Sequence, residues 1–268
     1  MITVDAVGDI LGELYPPSTA EGWDRVGPVT GDPDDQVRAI LLTVDVTDAV
    51  IEQAIHLGAN LIIAHHPLLL RGIHAVEPGN PKGRMITDLI RNRIGLITAH
   101  TNADIPTDGV ADCLAGALGL EQTRPLQESV AVPGAGMGRV GRIAPTRLGD
   151  FARSVARVLP ATAVGVRVAG DPQRTISTVA LQGGAGDDLL EVARHCGADV
   201  YLTSDLRHHP ASEAIAWADA PALIDVPHWA AEWTWLPTLR SLLQQRLTEE
   251  APITVSEIRT DPWDFVAR

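Results

Sequence analysis

The stretch Asn60-Leu-Ile-Ile-Ala-His-His-Pro67 is an apolar run that ends in two adjacent histidines. The apolar residues between Asn60 and His65 predict a buried β-strand. A rigid strand would bring both imidazoles to one place, which suggests a metal site. A helix-capping or surface pair of histidines explains the stretch equally well when it is taken alone. A second copy of its surroundings favours the metal site.

An internal repeat surrounds this stretch. Residues 39–66 align without a gap onto residues 178–205, so that residue 39 meets residue 178, an offset of 139. The aligned identities include Asp48 with Asp187, Glu52 with Glu191, His56 with His195 and Gly58 with Gly197. Each copy predicts a strand, a helix from the aspartate to the glycine, and a second strand joined by a parallel crossover. We therefore expect an α/β fold of two related units with mixed sheets and a metal site in the cleft between them.

A glycine-rich segment over residues 127–141 predicts the boundary between the units. The N-terminal unit is expected over residues 1–126 and the C-terminal unit over 127–268, whose last helix can pack back on the first unit. Inside the segment, Gly136-Met-Gly-Arg-Val-Gly141 matches a dinucleotide-binding fingerprint. It follows no clear strand and opens no helix, so a turn or hairpin is the better interpretation.

Each half also offers a histidine followed four residues later by a carboxylate. These pairs are His100 with Asp104 and His228 with Glu232, each after a predicted strand. On a helix this spacing places both side chains on one face, one turn apart, which suits a pair of metal ligands or a surface hydrogen bond. Two such pairs in a duplicated framework favour the ligand interpretation.

Two further features near the second copy carry open alternatives. His208 and His209 follow its second strand and could act as acid/base groups in the same cleft or cap the next helix. Gly183-Gly-Ala-Gly186 precedes Asp187 and could contact a substrate phosphate or form a tight turn.

Composition bounds the class of protein. The chain has 268 residues, 45% of them hydrophobic, and a net charge of -13 at pH 7. The charge and the absence of a Lys/Arg cluster argue against a general nucleic-acid binder. The sequence has no leader-like start and no apolar run that could cross a membrane, so we expect a cytoplasmic protein. Cys113 and Cys196 fall in helical segments and favour a core role, which leaves nitrogen and oxygen ligands for a metal.

Several motifs, in this order, resemble those of the Nif-three-like dinuclear metal centre proteins, a family also labelled GTP cyclohydrolase I type 2 homologues. The stretches that carry the resemblance are Ala20-Glu-Gly-Trp-Asp-Arg-Val-Gly27, Leu61-Ile-Ile-Ala-His-His-Pro67, Ala99-His-Thr-Asn-Ala-Asp104, the Gly-Gly-Ala-Gly turn and Asp225-Val-Pro-His-Trp-Ala-Ala-Glu232. One departure is Pro227, where a small residue or glycine more often precedes the histidine.

The resemblance implies a ligand set for two divalent metal ions: His65, His66, Asp104, His228 and Glu232. Glu232 would bridge the two ions and His100 would lie close by. It also implies a homohexameric ring whose metal sites face an internal cavity. Imidazole and carboxylate ligands are compatible with Zn, Fe, Mn or Co.

Two functions follow, and the sequence leaves open whether the protein is an enzyme. The first is a dinuclear metal-dependent hydrolase, either of GTP cyclohydrolase type or cleaving a phosphoester in a small nucleotide-like molecule. His100, His208 or His209 would then shuttle a proton. The alternative is a non-enzymatic metal-binding ring that serves as a toroidal scaffold or binds protein partners.

Overall fold

The computed structural model describes residues 2–130, 132–247 and 251–267. The strands are β1 (Gly27–Thr30), β2 (Ile40–Thr43), β3 (Leu61–Ala64), β4 (Gly95–Thr98), β5 (Glu121–Glu128), β6 (Gly136–Arg147), β7 (Arg167–Ala169), β8 (Thr175–Ala185), β9 (Val200–Ser204), β10 (Ala222–Asp225) and β11 (Ile253–Val255). The α-helices are α1 (Val4–Leu14), α2 (Asp48–Leu57), α3 (Pro81–Arg91), α4 (Thr101–Asp104), α5 (Val110–Ala117), α6 (Leu148–Val158), α7 (Leu190–His195), α8 (His208–Ala214), α9 (His228–Trp233) and α10 (Leu236–Leu247). Short 3-10 helices span Pro17–Thr19 and Asp187–Leu189.

The chain forms two compact units. Unit 1 comprises residues 1–106 and 236–260, and unit 2 comprises residues 107–235 and 261–268. The mixed α/β fold expected from the sequence is confirmed by the two mixed sheets, one in each unit. Among the described residues, no helix is both long and apolar enough to span a lipid bilayer.

Unit 1 is built on a five-stranded sheet in the order β1-β4-β3-β2-β11. The strands β4, β3, β2 and β11 run parallel, and β1 joins one edge antiparallel. Every residue of β2, β3 and β4 is buried. Helices α2 and α3 cover one face, where Val50, Ala54 and Leu89 pack with Leu41 and Ile62 of the sheet. Parallel strands buried on both faces explain why these segments read as uninterrupted apolar runs.

Unit 2 contains a six-stranded sheet in the order β5-β6-β8-β9-β10-β7. Its centre, β8, β9 and β10, is parallel, while β5, β6 and β7 pair antiparallel. Tyr201 and Ala180 of the sheet pack against Leu190 and Ala193 of α7. Helices α5 and α9 contact each other and also contact β8.

The two units share the topology that the repeat predicts. In unit 1 Ile40 of β2 pairs with Leu61 of β3, and in unit 2 the residues 139 positions later, Val179 and Val200, pair in the same register. A third parallel strand follows in both units, β4 beside β3 and β10 beside β9. This agreement supports the internal duplication.

The predicted helix of the repeat forms in full only in unit 1. There Thr47 caps α2 by accepting a hydrogen bond from the amide of Val50, and Gly58 ends the helix with a left-handed conformation. The residue of unit 2 that aligns with Thr47 is Gly186, which has no side-chain oxygen to accept a bond. The first turn in unit 2 is accordingly a 3-10 helix, and α7 begins only at Leu190.

Within the glycine-rich segment, residues 127–128 and 136–141 lie in the antiparallel strands β5 and β6 of unit 2. The contacts divide the chain near residue 106 rather than at residue 126. The glycines serve close strand packing, since a Cβ on Gly136 would lie 2.1 Å from the carbonyl oxygen of Gln127. The hairpin expected in place of a dinucleotide site is therefore present. The last helix, α10, belongs to unit 1 and contacts β2 and β11 there.

Candidate metal centre

Unit 1 gathers three histidines at the carboxyl ends of two neighbouring parallel strands. His65 and His66 directly follow β3, and His100 follows β4 by two residues. One ligand nitrogen from each of the three lies within 4.8 Å of the others. We call His65, His66 and His100 the histidine cluster. It forms because adjacent parallel strands end at the same edge of the sheet, where ligands of open α/β sheets commonly bind.

Backbone hydrogen bonds fix the place of the two adjacent histidines. The amide of His65 donates to the carbonyl of Thr43 at 3.0 Å, and the amide of His66 donates to the carbonyl of Val44 at 2.8 Å. The pairing of β3 with β2 thus continues through both residues, so the imidazoles start from a rigid backbone. His65 is fully buried and His66 is partly exposed.

Each imidazole of the histidine cluster forms a hydrogen bond through Nδ1 with an oxygen acceptor. The partners are the carbonyl of Ala99 for His65 at 2.9 Å, the carboxylate of Asp45 for His66 at 2.7 Å, and the carboxylate of Asp24 for His100 at 2.8 Å. A carbonyl or carboxylate can only accept, so in the neutral ring Nδ1 carries the proton and Nε2 carries a lone pair. Metal-binding histidines are typically oriented in this way.

The electrostatics of His100 keep it neutral. Burial and the neighbouring His65 lower the pKa of His100 to about 4, although Asp24 opposes the change. Burial also raises the pKa of Asp24, but hydrogen bonds from His100 and Thr101 outweigh it and bring the pKa below its ordinary value. At neutral pH a charged Asp24 therefore faces an uncharged imidazole that can accept a proton or bind a cation.

The His100–Asp104 pair is only partly as the spacing predicts. His100 stands before the first turn of α4 as its cap residue, and Asp104 is buried at the end of that helix. Asp104 is not one of the three residues of the histidine cluster. A backbone with φ -114° and ψ -109° at His100 takes it out of the helix, so the one-turn geometry expected for the pair does not apply there.

The second pair, in unit 2, has the predicted geometry. His228 begins α9 and Glu232 lies one turn later, with Nε2 of His228 2.9 Å from Oε1 of Glu232. Pro227, the departure noted in the sequence, is the residue immediately before α9 and has φ -59°. A proline suits that place because its fixed φ is compatible with a helix start.

His228 is held between two carboxylates. Its Nδ1 lies 2.7 Å from Oδ2 of Asp205, opposite the contact with Glu232. Burial lowers the pKa of His228, but the charge of Glu232 and the hydrogen bond with Asp205 outweigh it and raise the pKa well above its ordinary value. The imidazole therefore holds a proton at neutral pH. A histidine binds a metal through a ring nitrogen that carries no proton, so binding of a cation at Nε2 of His228 would release that proton.

A glycine makes room for this pair. A Cβ on Gly184 would lie 2.6 Å from Oε1 of Glu232 and 3.4 Å from Nε2 of His228, and Gly184 has φ +76°. The Gly-Gly-Ala-Gly segment also contacts β9, where the hydroxyl of Thr203 donates to the carbonyl of Gly184 at 3.0 Å. The structure places Gly183, Gly184 and Ala185 at the end of β8, where the register with β9 shifts, rather than in a tight turn.

His208 and His209 lie in a different part of unit 2. They open α8, both are exposed, and their rings are 5.3 Å apart. His208 lines a cavity of about 340 Å³ together with Arg167, Leu206 and Asp225. Of the described residues that line this cavity, none is His228 or Glu232. An acid/base role for His208 and His209 stays a prediction.

The sequence interpretation missed the aspartates that orient the histidines. Asp24 lies 76 positions from His100, and Asp205 lies 23 positions from His228. Asp45 carried one available signal, since it follows β2 as His66 follows β3. Asp205 carried another, since it aligns with His66 in the repeat.

The fold and the site define an α/β protein whose parallel strands deliver histidines and carboxylates suited to a divalent metal. The chain belongs to the family described as Duf34/NIF3 (NGG1p interacting factor 3), whose model matches residues 2–262. The family predicted from the motifs is confirmed.

Named relatives and solved structures agree with this membership. A Streptomyces coelicolor protein named GTP cyclohydrolase 1 type 2 homolog is 45% identical over 94% of this chain and 90% of its own length. A Bacillus cereus protein related to NIF3 has the same fold, with a TM-score of 0.91, 24% identity and 99% of each chain covered. A Staphylococcus aureus protein gives a TM-score of 0.89 at 28% identity, covering 98% of this chain and 99% of that one.

Proposed function

We propose that this protein is a divalent-metal-dependent hydrolase of a small nucleotide-like or phosphorylated molecule. Two metal ions would be held by His65, His66, Asp104, His228 and Glu232. The observation that carries the proposal is the orientation of the histidines, each bonded through Nδ1 to an oxygen acceptor. An oxygen acceptor at Nδ1 is typical of metal-binding histidines. At His228 a bound cation would take the place of the proton on Nε2.

The buried carboxylates fit the same role. Asp104 and Glu232 are 6% and 3% exposed. Burying a carboxylate is costly unless a cation or hydrogen-bond donors compensate its charge. Divalent ions, when bound, would supply Lewis-acid activation of water and of a phosphoryl or carbonyl oxygen.

His100 is the residue we propose as the base. Its Nδ1 lies 2.8 Å from Oδ1 of Asp24, and its ring centroid lies 5.2 Å from that of His65. A pKa of about 4 leaves the imidazole neutral at pH 7, with a lone pair on Nε2, but makes it a weak base. The negative charge of Asp24 would offset part of that weakness by stabilising the imidazolium. His208 and His209 remain the alternative proton carriers. The names of the curated relatives support a cyclohydrolase-type reaction at a ring C–N bond as one candidate.

The experiment that tests the metal site measures metal per chain by elemental mass spectrometry, on protein purified without a tag or added metal. We expect about two equivalents in the wild type and a sharp fall in the Asp104→Ala, Glu232→Ala double variant. The control is the His208→Ala, His209→Ala double variant, which should keep its metal. The absence of metal in the wild type, with no uptake on reconstitution, would sink the proposal.

Turnover separates an enzyme from a scaffold. The metallated protein would be assayed on GTP, on nucleoside monophosphates and on simple phosphoesters, with His100→Ala as the base variant. A fully metallated protein without turnover on any of these would favour the non-enzymatic alternative, to which the words "interacting factor" in the family's description also point. The homohexamer and the cytoplasmic location stay predictions, and light scattering would test the first.

A further inference from the structure

An exposed tryptophan stands beside the histidine cluster. The side chain of Trp23 is 56% exposed, yet its ring makes an edge-to-face contact with His100, with centroids 5.9 Å apart and planes at 76°. His100 in turn lies 5.2 Å from His65 and 5.5 Å from His66, centroid to centroid. The indole is thus one ring removed from the candidate metal ligands of unit 1.

The loop over residues 21–25 is fixed to the cluster by a buried carboxylate. Asp24 accepts hydrogen bonds from Nδ1 of His100 at 2.8 Å and from the hydroxyl and amide of Thr101 at 2.6 and 3.0 Å. The amide of Glu21 also donates to the hydroxyl of Thr101 at 2.9 Å. Trp23 is therefore exposed on a loop anchored on both sides of it, which means that its indole is presented from a rigid backbone.

Arg25 is exposed on the same loop, on the other side of Asp24. Its Nη1 donates to the carbonyl oxygens of Trp23 at 3.3 Å and Asp24 at 2.5 Å. These bonds hold the guanidinium beside the backbone of the tryptophan. A guanidinium has five N–H donors, two of them on Nη1, so those on Nε and Nη2 can serve another acceptor.

We propose that Trp23 and Arg25 form the substrate-binding subsite of the candidate metal centre, for a ligand with a planar heteroaromatic ring and an anionic group. The indole would stack on the ring, because aromatic side chains are the usual platform for bases. The guanidinium would bind the phosphate or carboxylate, for which its planar fork is suited. This subsite rests on the proposed function and names the chemistry of its substrate.

A second exposed tryptophan, Trp217, is covered by an arginine of the same chain. Trp217 is 60% exposed, and the guanidinium of Arg194 lies over its ring, 4.5 Å from the centroid. It lies in unit 2 and therefore provides a control with the same residue type and similar exposure.

The test measures binding to the metal-loaded protein by calorimetry, with three probes: GMP, guanosine and ribose 5-phosphate. For Trp23→Ala we expect affinity for GMP and guanosine to fall about 5- to 150-fold, the range of base–aromatic stacking, with ribose 5-phosphate unchanged. Trp23→Phe should restore most of the loss. Arg25→Ala should weaken GMP and ribose 5-phosphate but not guanosine, and Trp217→Ala should change none of the three.

Several results would overturn the subsite. One is GMP binding by Trp23→Ala at wild-type strength; another is an equal loss for all three probes, which would indicate a structural role. A wild type that binds no GMP, or a Trp23→Ala variant altered only in its assembly state, would also overturn it. Metal content is measured in every variant, since Trp23→Ala should keep its metal. Probe binding that follows the expected pattern without any turnover would support the subsite while contradicting the hydrolase.

Discussion

At the scale of single residues, Gly184 makes the pairing of His228 with Glu232 possible by lacking a side chain. Its left-handed φ of +76° is one that L side chains rarely adopt, and a Cβ there would collide with the carboxylate of Glu232 at 2.6 Å. Two separate constraints, on conformation and on space, therefore meet at one position.

Gly184→Ala should weaken metal binding about 10- to 100-fold, as changes to groups that position metal ligands do. The matched control is Gly165→Ala. Gly165 has a similar φ of +67°, but open space surrounds its missing Cβ, so this variant reports conformational strain alone. Metal titration of both variants, beside their thermal unfolding, separates the two effects. Equal loss of metal affinity in the two variants would show that the collision with Glu232 has no role.

The sequence predicts histidines more readily than the groups that orient them. His65 and His66 are found because an apolar strand directly precedes them, and His228 with Glu232 because a helix places residues four apart on one face. Asp24 reaches His100 only after distant segments come together, and local spacing carries no trace of that contact. For Asp45 the signal is indirect, since it lies two residues after β2 as His66 lies two residues after β3.

At the scale of elements, the two units share a hydrogen-bonded contact just before β3 and just before β9. A side-chain oxygen there accepts from backbone amides of the neighbouring strand segment, and we call this contact the clamp. In unit 1, Oδ1 of Asn60 accepts from the amide of Arg38 at 2.7 Å, just before β3. In unit 2, the aligned Asp199 accepts from the amides of Ser177 and Thr178 at 2.8 and 2.9 Å, just before β9. The clamp joins the starts of neighbouring strands, and in unit 2 it carries a charge.

That charge predicts a pH-dependent stability. Burial raises the pKa of Asp199, but hydrogen bonds from the amides of Thr178 and Ser177 outweigh it and lower the pKa below its ordinary value. A carboxylate with a lowered pKa in the folded state stabilises the protein above its unfolded pKa of about 3.9. The stabilisation is lost as the pH falls through the lowered folded value.

Asp199→Ala should lower the free energy of unfolding by roughly 1–3 kcal/mol at pH 7, the cost of leaving amides without an acceptor. Asp199→Asn should cost less, because Asn60 performs the same role in unit 1. Urea unfolding at pH 7 and near pH 3 would show the difference between wild type and Asp199→Asn shrinking at the lower pH. A difference that stays constant would contradict a charged clamp.

The elements of the repeat could be predicted because hydrophobic runs, first-turn aspartates and terminal glycines all lie within it. The starts of the two repeat helices could not be predicted equally well. Thr47 and Gly186 occupy aligned positions, and only the threonine caps a full α-helix. The predicted boundary at residue 126 differs from the observed one near residue 106 for another reason. Gly136 permits close approach of two strands, and composition cannot distinguish a linker glycine from such a strand glycine.

At the scale of the whole molecule, the chain builds unit 1 from two separated pieces. It leaves unit 1 at Pro106 and returns at Leu236, supplying α10 and the edge strand β11. β11 pairs parallel with β2, and Leu239 and Leu243 of α10 are fully buried.

Removal of residues 236–268 should therefore destabilise unit 1 and cause aggregation, because it exposes the edge of β2 and the apolar residues that α10 covers. The control truncation removes residues 261–268, which belong to unit 2 and leave α10 and β11 in place. Hydrogen exchange of both proteins, read separately for β2 and for β9, tests the expectation. Unchanged protection of β2 in the longer deletion would contradict it.

The interrupted course of unit 1 also has a consequence for biosynthesis. Translation releases the chain from its N-terminus, and domains generally fold as units during synthesis. All strands of the unit 2 sheet lie between residues 121 and 225, whereas β11 begins at residue 253. Unit 2 can therefore complete its sheet first. The sheet of unit 1, most of which left the ribosome earlier, stays incomplete until β11 has been synthesised. During that interval β2 is an open edge, and a chaperone that shields it would act on the oldest part of the chain.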